Sequence, residues 1–323
     1  MTIKAILLLL ICIRINAQNL ELPAGSEYSS IQLRMNRHDV KIQEAGAAKI
    51  FFVGLKDKGN WSFRKDNGAL IIEEKDYDSK LFHAAAEDTK EGPKEKLVIK
   101  VPSLPLFVSG NDLDISLEGI RNTAKITIFK GSVKGFKTQG ELRIFLNSGD
   151  INLDAHNAPL FLNGAQVKVA VKNSNADIKI NNYAGPINLE KNTGHTSIFN
   201  FQGNVSLKEV TGSSQIELSK GTVSVAQSQG RHDIVTDEVN VDLKATKESD
   251  FNIKMKNGKL NYATSGVSGI WLNLNSKEGD LYLPAPLRPQ KVKAETFYKG
   301  RTSGEKSAAR LEVKSVNAAI IVR

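Results

Sequence analysis

Cysteine is almost missing from this chain: the one thiol in 323 residues is Cys12, inside an N-terminal apolar run. The rest of the chain therefore has no material for a disulfide framework or a thiolate metal site. Long apolar runs are also lacking after that first one, and none approaches the roughly 20 residues that cross a bilayer as a helix. The sequence contains no Gly-Gly pair, no His-Glu-x-x-His, no phosphate-binding loop and no Gly-x-Ser-x-Gly. Each of these absences removes a standard carrier of metal, nucleotide or acyl-transfer chemistry. Blocks of one charge sign are missing too, because 44 Lys and Arg are interspersed with 35 Asp and Glu. The resulting formal charge of +9 permits attraction to anionic envelope polymers. It comes without the aromatic-basic motif expected of a nucleic-acid binder.

What is present begins with a secretory pattern. Lys4, the apolar stretch from Ala5 to Ile13, and Asn16-Ala17-Gln18 supply the charged, apolar and small-residue regions of a signal peptide. Cleavage after Ala17 leaves a chain starting at Gln18 and, with Lys4 and Arg14 removed, a formal charge of +7. Ile11 precedes Cys12 where a lipid-modified cysteine wants a small residue, so lipidation is not expected. The expectation is an exported protein, periplasmic, outer-membrane-associated or extracellular, without an integral membrane span after cleavage.

The body of the chain is periodic. Glycine occupies positions 131, 140, 149, 185, 194, 203, 212, 221 and 230 of a nine-residue lattice whose remaining points are Ala158, Val167 and Ala176. Aliphatic positions alternate between early and late in successive nine-residue units, so the true repeat is 18 residues. One lane reads Ile151, Val169, Ile187, Val205, Val223, Val241, and a second reads Leu153, Val171, Leu189, Leu207, Val225, Leu243. A third, in the other half of the repeat, reads Ile144, Leu162, Ile180, Ile198, Ile216, Ile234. With hydrophobic residues at 40% of the chain, an unbroken set of this kind is not a chance pattern. The two-residue step between the first two lanes is the period of a strand. Each half-repeat is thus a short strand, and stacked coils would form two parallel sheets around a shared core. Asn147, Asn163, Asn173, Asn182 and Asn192 fall near the bends, where their side chains can bond local backbone.

The predicted fold class is all-β: a single-stranded β-helix or β-solenoid of 18-residue coils with β-rich caps. Its expected divisions are 1–17 signal peptide, 18–105 N-terminal β-rich lead-in, 106–275 solenoid repeats and 276–323 C-terminal β cap. Asp112–Leu117 and Lys125–Phe129 extend the lattice backwards, and Asp250–Met255 with Ile270–Leu274 forwards, for about nine coils and a rod of roughly 40 Å. Residues 77–96 interrupt the pattern and read as a long charged loop, with at most a helical turn at Leu81–Ala86. Both flanks are suited to capping the exposed backbone of a terminal coil.

Leu97-Val-Ile-Lys-Val-Pro102 before the coils, the turn Ser148-Gly-Asp-Ile-Asn-Leu153, and Gly279-Asp-Leu-Tyr-Leu-Pro284 followed by Lys293-Ala-Glu-Thr296 resemble the bacterial putative-adhesin β-solenoid family, a domain of unknown function related to autotransporter-adhesin head domains. The resemblance covers most of residues 28–323. It implies a stacked, right-handed solenoid and an envelope location, and it supplies no catalytic residues.

The chemistry of individual residues points the same way. Calcium-binding β-rolls need paired glycines and repeated aspartates, whereas here only Gly149-Asp150 and Gly279-Asp280 are Gly-Asp pairs. Asp112 and Asp114 share one side of a strand at a separation of about 7 Å that could suit glycoside hydrolysis, and a solvated strand face explains them equally well. The five histidines share no ligand spacing. No catalytic, cofactor-binding or metal residues are therefore assigned, and no cofactor is expected. Outward positions divide into a small polar face, Asn152, Ala170, Asn188, Ser206, Ser224 and Asp242, and a face bearing Phe145, Phe161, Phe199 and Val235 among Arg143, Lys179 and Glu217. Phe145, Phe161 and Phe199 are the candidate partner face for an envelope glycan or surface protein, unless the N-terminal segment covers them. The sequence favours a non-enzymatic adhesin or envelope scaffold. The alternatives are a carbohydrate-active β-helix enzyme and an end-to-end polymer.

Overall fold

Alternation of aliphatic with polar residues makes strands throughout. The computed structural model describes residues 19–23, 27–46, 48–55, 58–77, 93–264, 266–304 and 307–323, in which 22 strands are joined by one continuous set of hydrogen-bonded ladders. The signal segment, the proposed turn at 81–86 and His83 lie outside the described residues. Seven short strands come first: β1 (Asn19–Pro23), β2 (Ser30–Arg34), β3 (His38–Glu44), β4 (Lys49–Val53), β5 (Trp61–Asp66), β6 (Ala69–Glu74) and β7 (Glu95–Val101). The regular body follows as β8 (Leu106–Glu118), β9 (Ala124–Phe136), β10 (Leu142–Asp154), β11 (Leu160–Lys172), β12 (Ile178–Ala184), β13 (Ile187–Glu190), β14 (Thr196–Lys208), β15 (Ser214–Ala226), β16 (Gly230–Lys244) and β17 (Ser249–Ala263). The tail comprises β18 (Trp271–Lys277), β19 (Leu281–Tyr282), β20 (Gln290–Val292), β21 (Glu295–Arg301) and β22 (Arg310–Val322).

One coil explains the others. In β10, Leu142, Ile144 and Leu146 point inward, the chain bends at Gly149, and Ile151 and Leu153 point inward again. Ile144 pairs in parallel with Ile126 on one side and Leu162 on the other, each 18 residues away, and Ile151 does the same with Val133 and Val169. All eighteen residues of the three predicted lanes are buried, none more than 2% exposed. Two parallel sheets thus share an interior of stacked aliphatic ladders.

The two bends differ. At the first, Gly149 has φ of 136°, and a Cβ there would lie 1.8 Å from the carbonyl oxygen of Gly131 in the preceding coil. Only glycine fits so close an approach. At the second bend the left-handed residue recurs every 18 positions as Gly119, Lys137, Ala155, Asn173, Lys191, Glu209 and Gln227, with φ between 51° and 65°. Non-glycine residues carry the strain here because the backbone N–H of each from Lys137 to Glu209 donates to the next coil, as from Ala155 to the Lys172 carbonyl at 3.0 Å. Behind this bend lies an interior polar lane. Thr138 Oγ1 meets His156 Nδ1 at 2.8 Å, the Asn192 side chain accepts from the Ser174 amide at 3.1 Å, and Ser228 Oγ accepts from the Val210 amide at 3.2 Å.

Coils run in sequence order from β8 through β17, nine in all when β12 and β13 count as one. Stacking then continues past both ends of that range, out of sequence order. β2 and β3 sit directly on β8, and β6 and β7 sit on β2 and β3, so the earlier segment lies one layer inside the later one. At the other end β22 inserts between β17 and β18, and β19 also pairs with β22. The sequence-based extension of the lattice directly from Met255 to Ile270 is therefore corrected: Leu272 and Leu274 stack on Leu311 and Val313, not on the β17 coil. Thirteen layers result, about 58 Å at the usual strand spacing. Antiparallel strands finish both ends, with β4 and β1 beyond β7, β5 beyond β6, and β21 then β20 beyond β18. Such strands cannot continue a parallel ladder and so blunt the exposed edges.

Candidate binding face

Because side chains alternate along each strand, the sheet containing the Ile144 lane presents its intervening residues to solvent in straight columns. One column runs Phe145, Asn163, Asn181, Phe199, Glu217, Val235, Lys254, Lys314 and Asn275 through successive layers. Phe145 and Phe199 therefore share a column three coils apart. Phe199 is 50% exposed and Phe145 37%. Phe161 lies in the neighbouring column between Arg143 and Lys179 and is half-buried, with the Arg143 guanidinium 4.9 Å from its ring centre. Lys125 takes the same position over Phe145, at 5.5 Å. The described N-terminal strands stack on the end of the rod, so they do not cover these aromatics.

Two residues that the lane pattern does not single out complete the patch. Tyr183 is 58% exposed and stacks on Phe201 at 5.0 Å with only 12° between the rings. Phe201 stands two residues from Phe199 on the same side of β14, so Tyr183, Phe199 and Phe201 form one exposed aromatic cluster. Their signal in the sequence is the 18-residue spacing of Tyr183 and Phe201, at a corner position just before the glycine. Parallel aromatic faces on a flat sheet suit stacking on sugar rings or on a partner's apolar side chains.

The opposite sheet carries a ladder of opposite charges, with one exposed ring, Phe136, farther along the same column. Glu190 bridges Lys172 at 3.3 Å and Lys208 at 3.0 Å. The hydrogen bond from Lys208 is the leading reason its carboxyl stays below the usual range. Asn152 and Asp242 of the small polar face are exposed, and Asn261 donates to Asp242 at 2.7 Å.

Asp112 and Asp114 are occupied by a lysine. Lys94 Nζ lies 2.7 Å from one and 2.8 Å from the other, and Ser132 Oγ donates to Asp114 at 2.7 Å. Partial burial works against ionisation of Asp114, but the hydrogen bonds and charge of Lys94 and the bond from Ser132 prevail and lower its pKa. The pair fastens the start of β7 to the first regular coil. His38 meets Glu74 at 3.1 Å, and the exposed His195 meets Ser213 at 2.7 Å. Among the described residues no three His, Cys, Asp or Glu side chains gather closely enough to hold a metal ion. No described helix is long and apolar enough to cross a membrane.

No curated protein matches the chain. Among solved structures it is similar to a putative cell adhesion protein from Clostridium sporogenes ATCC 15579 at 9% identity and a TM-score of 0.22, over 94% of this chain and 98% of that one. The Toastrack DUF4097 family model matches residues 28–318, a span that takes in the coils, the antiparallel strands other than β1, and β22 as far as Ala318. By that match the stacked solenoid described above belongs to the Toastrack DUF4097 family.

Proposed function

We propose that this chain is an exported, non-enzymatic binding module that adheres to, or scaffolds, an envelope polymer or surface protein through one side of the rod. The observation that carries this reading is the exposed cluster of Tyr183, Phe199 and Phe201 in line with Phe145. Large apolar side chains held at 37% to 58% exposure at Phe145, Phe199 and Tyr183, with Phe201 partly exposed beneath the Tyr183 ring, mark a contact surface. Adjacent coils repeat every 4.8 Å or so, which gives an extended partner a regular series of footholds. The secretory pattern at 1–17 supports a partner outside the cytoplasm.

The test is a screen of the purified mature protein against envelope glycans and surface proteins, with a hydrolysis and lyase assay on whatever binds. Retention of a polymer whose length stays unchanged is the expected result. Shortening of the bound polymer would instead establish the carbohydrate-active alternative. Absence of binding to every glycan and surface protein would overturn the reading.

A further inference from the structure

The aromatic columns do not end in aromatics. Three layers beyond Phe199 the same column reaches Lys254, and the next layer carries Lys314. In the adjoining column Lys256 and Lys277 flank Val316 from either side. All four lysines are exposed, and with Val235, Met255 and Val316 they line one shallow trough. Some lysines of the rod are neutralised locally, Lys41 by Glu118, Lys94 by Asp112 and Asp114, Lys208 by Glu190 and Lys220 by Glu238, while others such as Lys134 and Lys179 stand singly among the described residues. What sets these four apart is that they share one trough. Among the described residues none of these four has such a partner. Acids stand around the trough: Glu295 opposite Lys277 across the β18–β21 pairing, Glu312 two residues before Lys314, Asp237 beside Asn257, and Glu217 in the aromatic column two layers before Lys254.

Four unneutralised ammonium groups on adjacent strands repel one another, an arrangement relieved when an anion binds across them. From Phe145 in β10 to Lys277 in β18 is eight layers, about 38 Å, along which one ligand would meet ring-stacking side chains first and cations second. We infer that this face takes an acidic polysaccharide, with sugar rings lying on Phe145, Tyr183, Phe199 and Phe201 and carboxylates meeting Lys254, Lys256, Lys277 and Lys314. The inference rests on the binding-face reading above and adds the charge and chemical class of the ligand. Rings and cations in one line fit a polymer that has both faces to stack and acids to pair. The layer spacing is close to the length of one pyranose in an extended chain, so successive sugars can repeat the same contacts.

Binding of the full mature chain to polygalacturonate, neutral dextran and inorganic polyphosphate, at low and at physiological salt, tests this. Polygalacturonate should bind tightest and weaken as salt rises. The variant Lys254→Gln/Lys256→Gln/Lys277→Gln/Lys314→Gln should lose affinity for it by about tenfold or more, while the corresponding four Lys→Arg changes should retain it. Tyr183→Ser/Phe199→Ser/Phe201→Ser should weaken both glycans and leave polyphosphate unaffected. Unchanged polygalacturonate binding in the Lys→Gln variant overturns this inference but leaves the binding face standing. Polyphosphate held as tightly as polygalacturonate, with no effect of the aromatic changes, also overturns it, as bare polyanion attraction. Unchanged glycan binding in the aromatic variant, with Lys→Gln still weakening it, overturns the binding-face reading and, with it, the ring contacts inferred here.

Discussion

Ser214 Oγ and His232 Nδ1 lie 2.7 Å apart inside the rod, one coil above the other. The imidazole stacks on Phe251 at 5.1 Å, and its Nε2 has no partner among the described residues. Burial therefore pushes the His232 pKa down to about 4, although Asp233 pulls the other way. An unfolded histidine titrates near 6.5, so between pH 6.5 and 4 the unfolded chain holds a proton that the folded chain rejects. Stability should be complete above about pH 6.5 and fall by about 3 kcal/mol on the way to pH 4. Buried His156 is shifted in the same direction and for the same first reason. Urea midpoints across this range check the claim, and His232→Leu should flatten the acid limb. Equal midpoints for the native chain at pH 7 and pH 4.5 contradict it.

The glycine bend gives a second prediction. At Gly221 φ is 132° and a Cβ would sit 1.8 Å from the Gly203 carbonyl oxygen. Gly221→Ala must shift the backbone of two stacked coils and should cost about 3 kcal/mol or more. Gly119 also has a positive φ, 65°, but open space around it, so Gly119→Ala should cost only about 1 kcal/mol. Denaturant midpoints for the two variants should fall in that order, and the reverse order would refute the close-approach account.

The lanes give a third. Ile216 is wholly buried, and Ser224 points outward from the same coil. Ile216→Asp loses about 1.5 to 3 kcal/mol of burial and adds the cost of an unpaired buried carboxylate. Ser224→Asp should change stability by about half a kcal/mol or less. Similar unfolding curves for the two variants would argue against the assignment of inside and outside.

The coils were legible because one physical fact, an inward aliphatic side chain at a fixed place in every turn, repeats 18 residues apart from Ile144 to Leu243. The second bend was legible only in part: the lattice glycines Gly194, Gly212 and Gly230 and the left-handed Asn173 lie there, but the left-handed position is elsewhere filled by Lys137, Ala155, Lys191 and Glu209, residues with no compositional mark of a turn. The insertion of β22 was illegible for another reason. Leu311, Val313 and Ile320 alternate like any other strand, and only the three-dimensional stacking decides that they pack between β17 and β18. Of the binding face, Phe145 and Phe199 could be read from their shared phase. Tyr183 and Phe201 keep the inward-outward alternation, but they escaped because the inward neighbours there are the polar Asn182 and Asn200, so no aliphatic lane marks the phase.

The central claim is that the exposed aromatic side of the rod makes the functional contact without supporting the fold. The most direct measurement takes one variant, Phe145→Ser/Tyr183→Ser/Phe199→Ser/Phe201→Ser, and records both its thermal midpoint and its affinity for the polymer that the native chain retains. Exposed side chains contribute little to folding, so the midpoint should stay within a few degrees while binding falls by about tenfold or more. Full binding by a variant that remains folded, or a large loss of stability showing that these rings are packed in the native protein, would contradict the account.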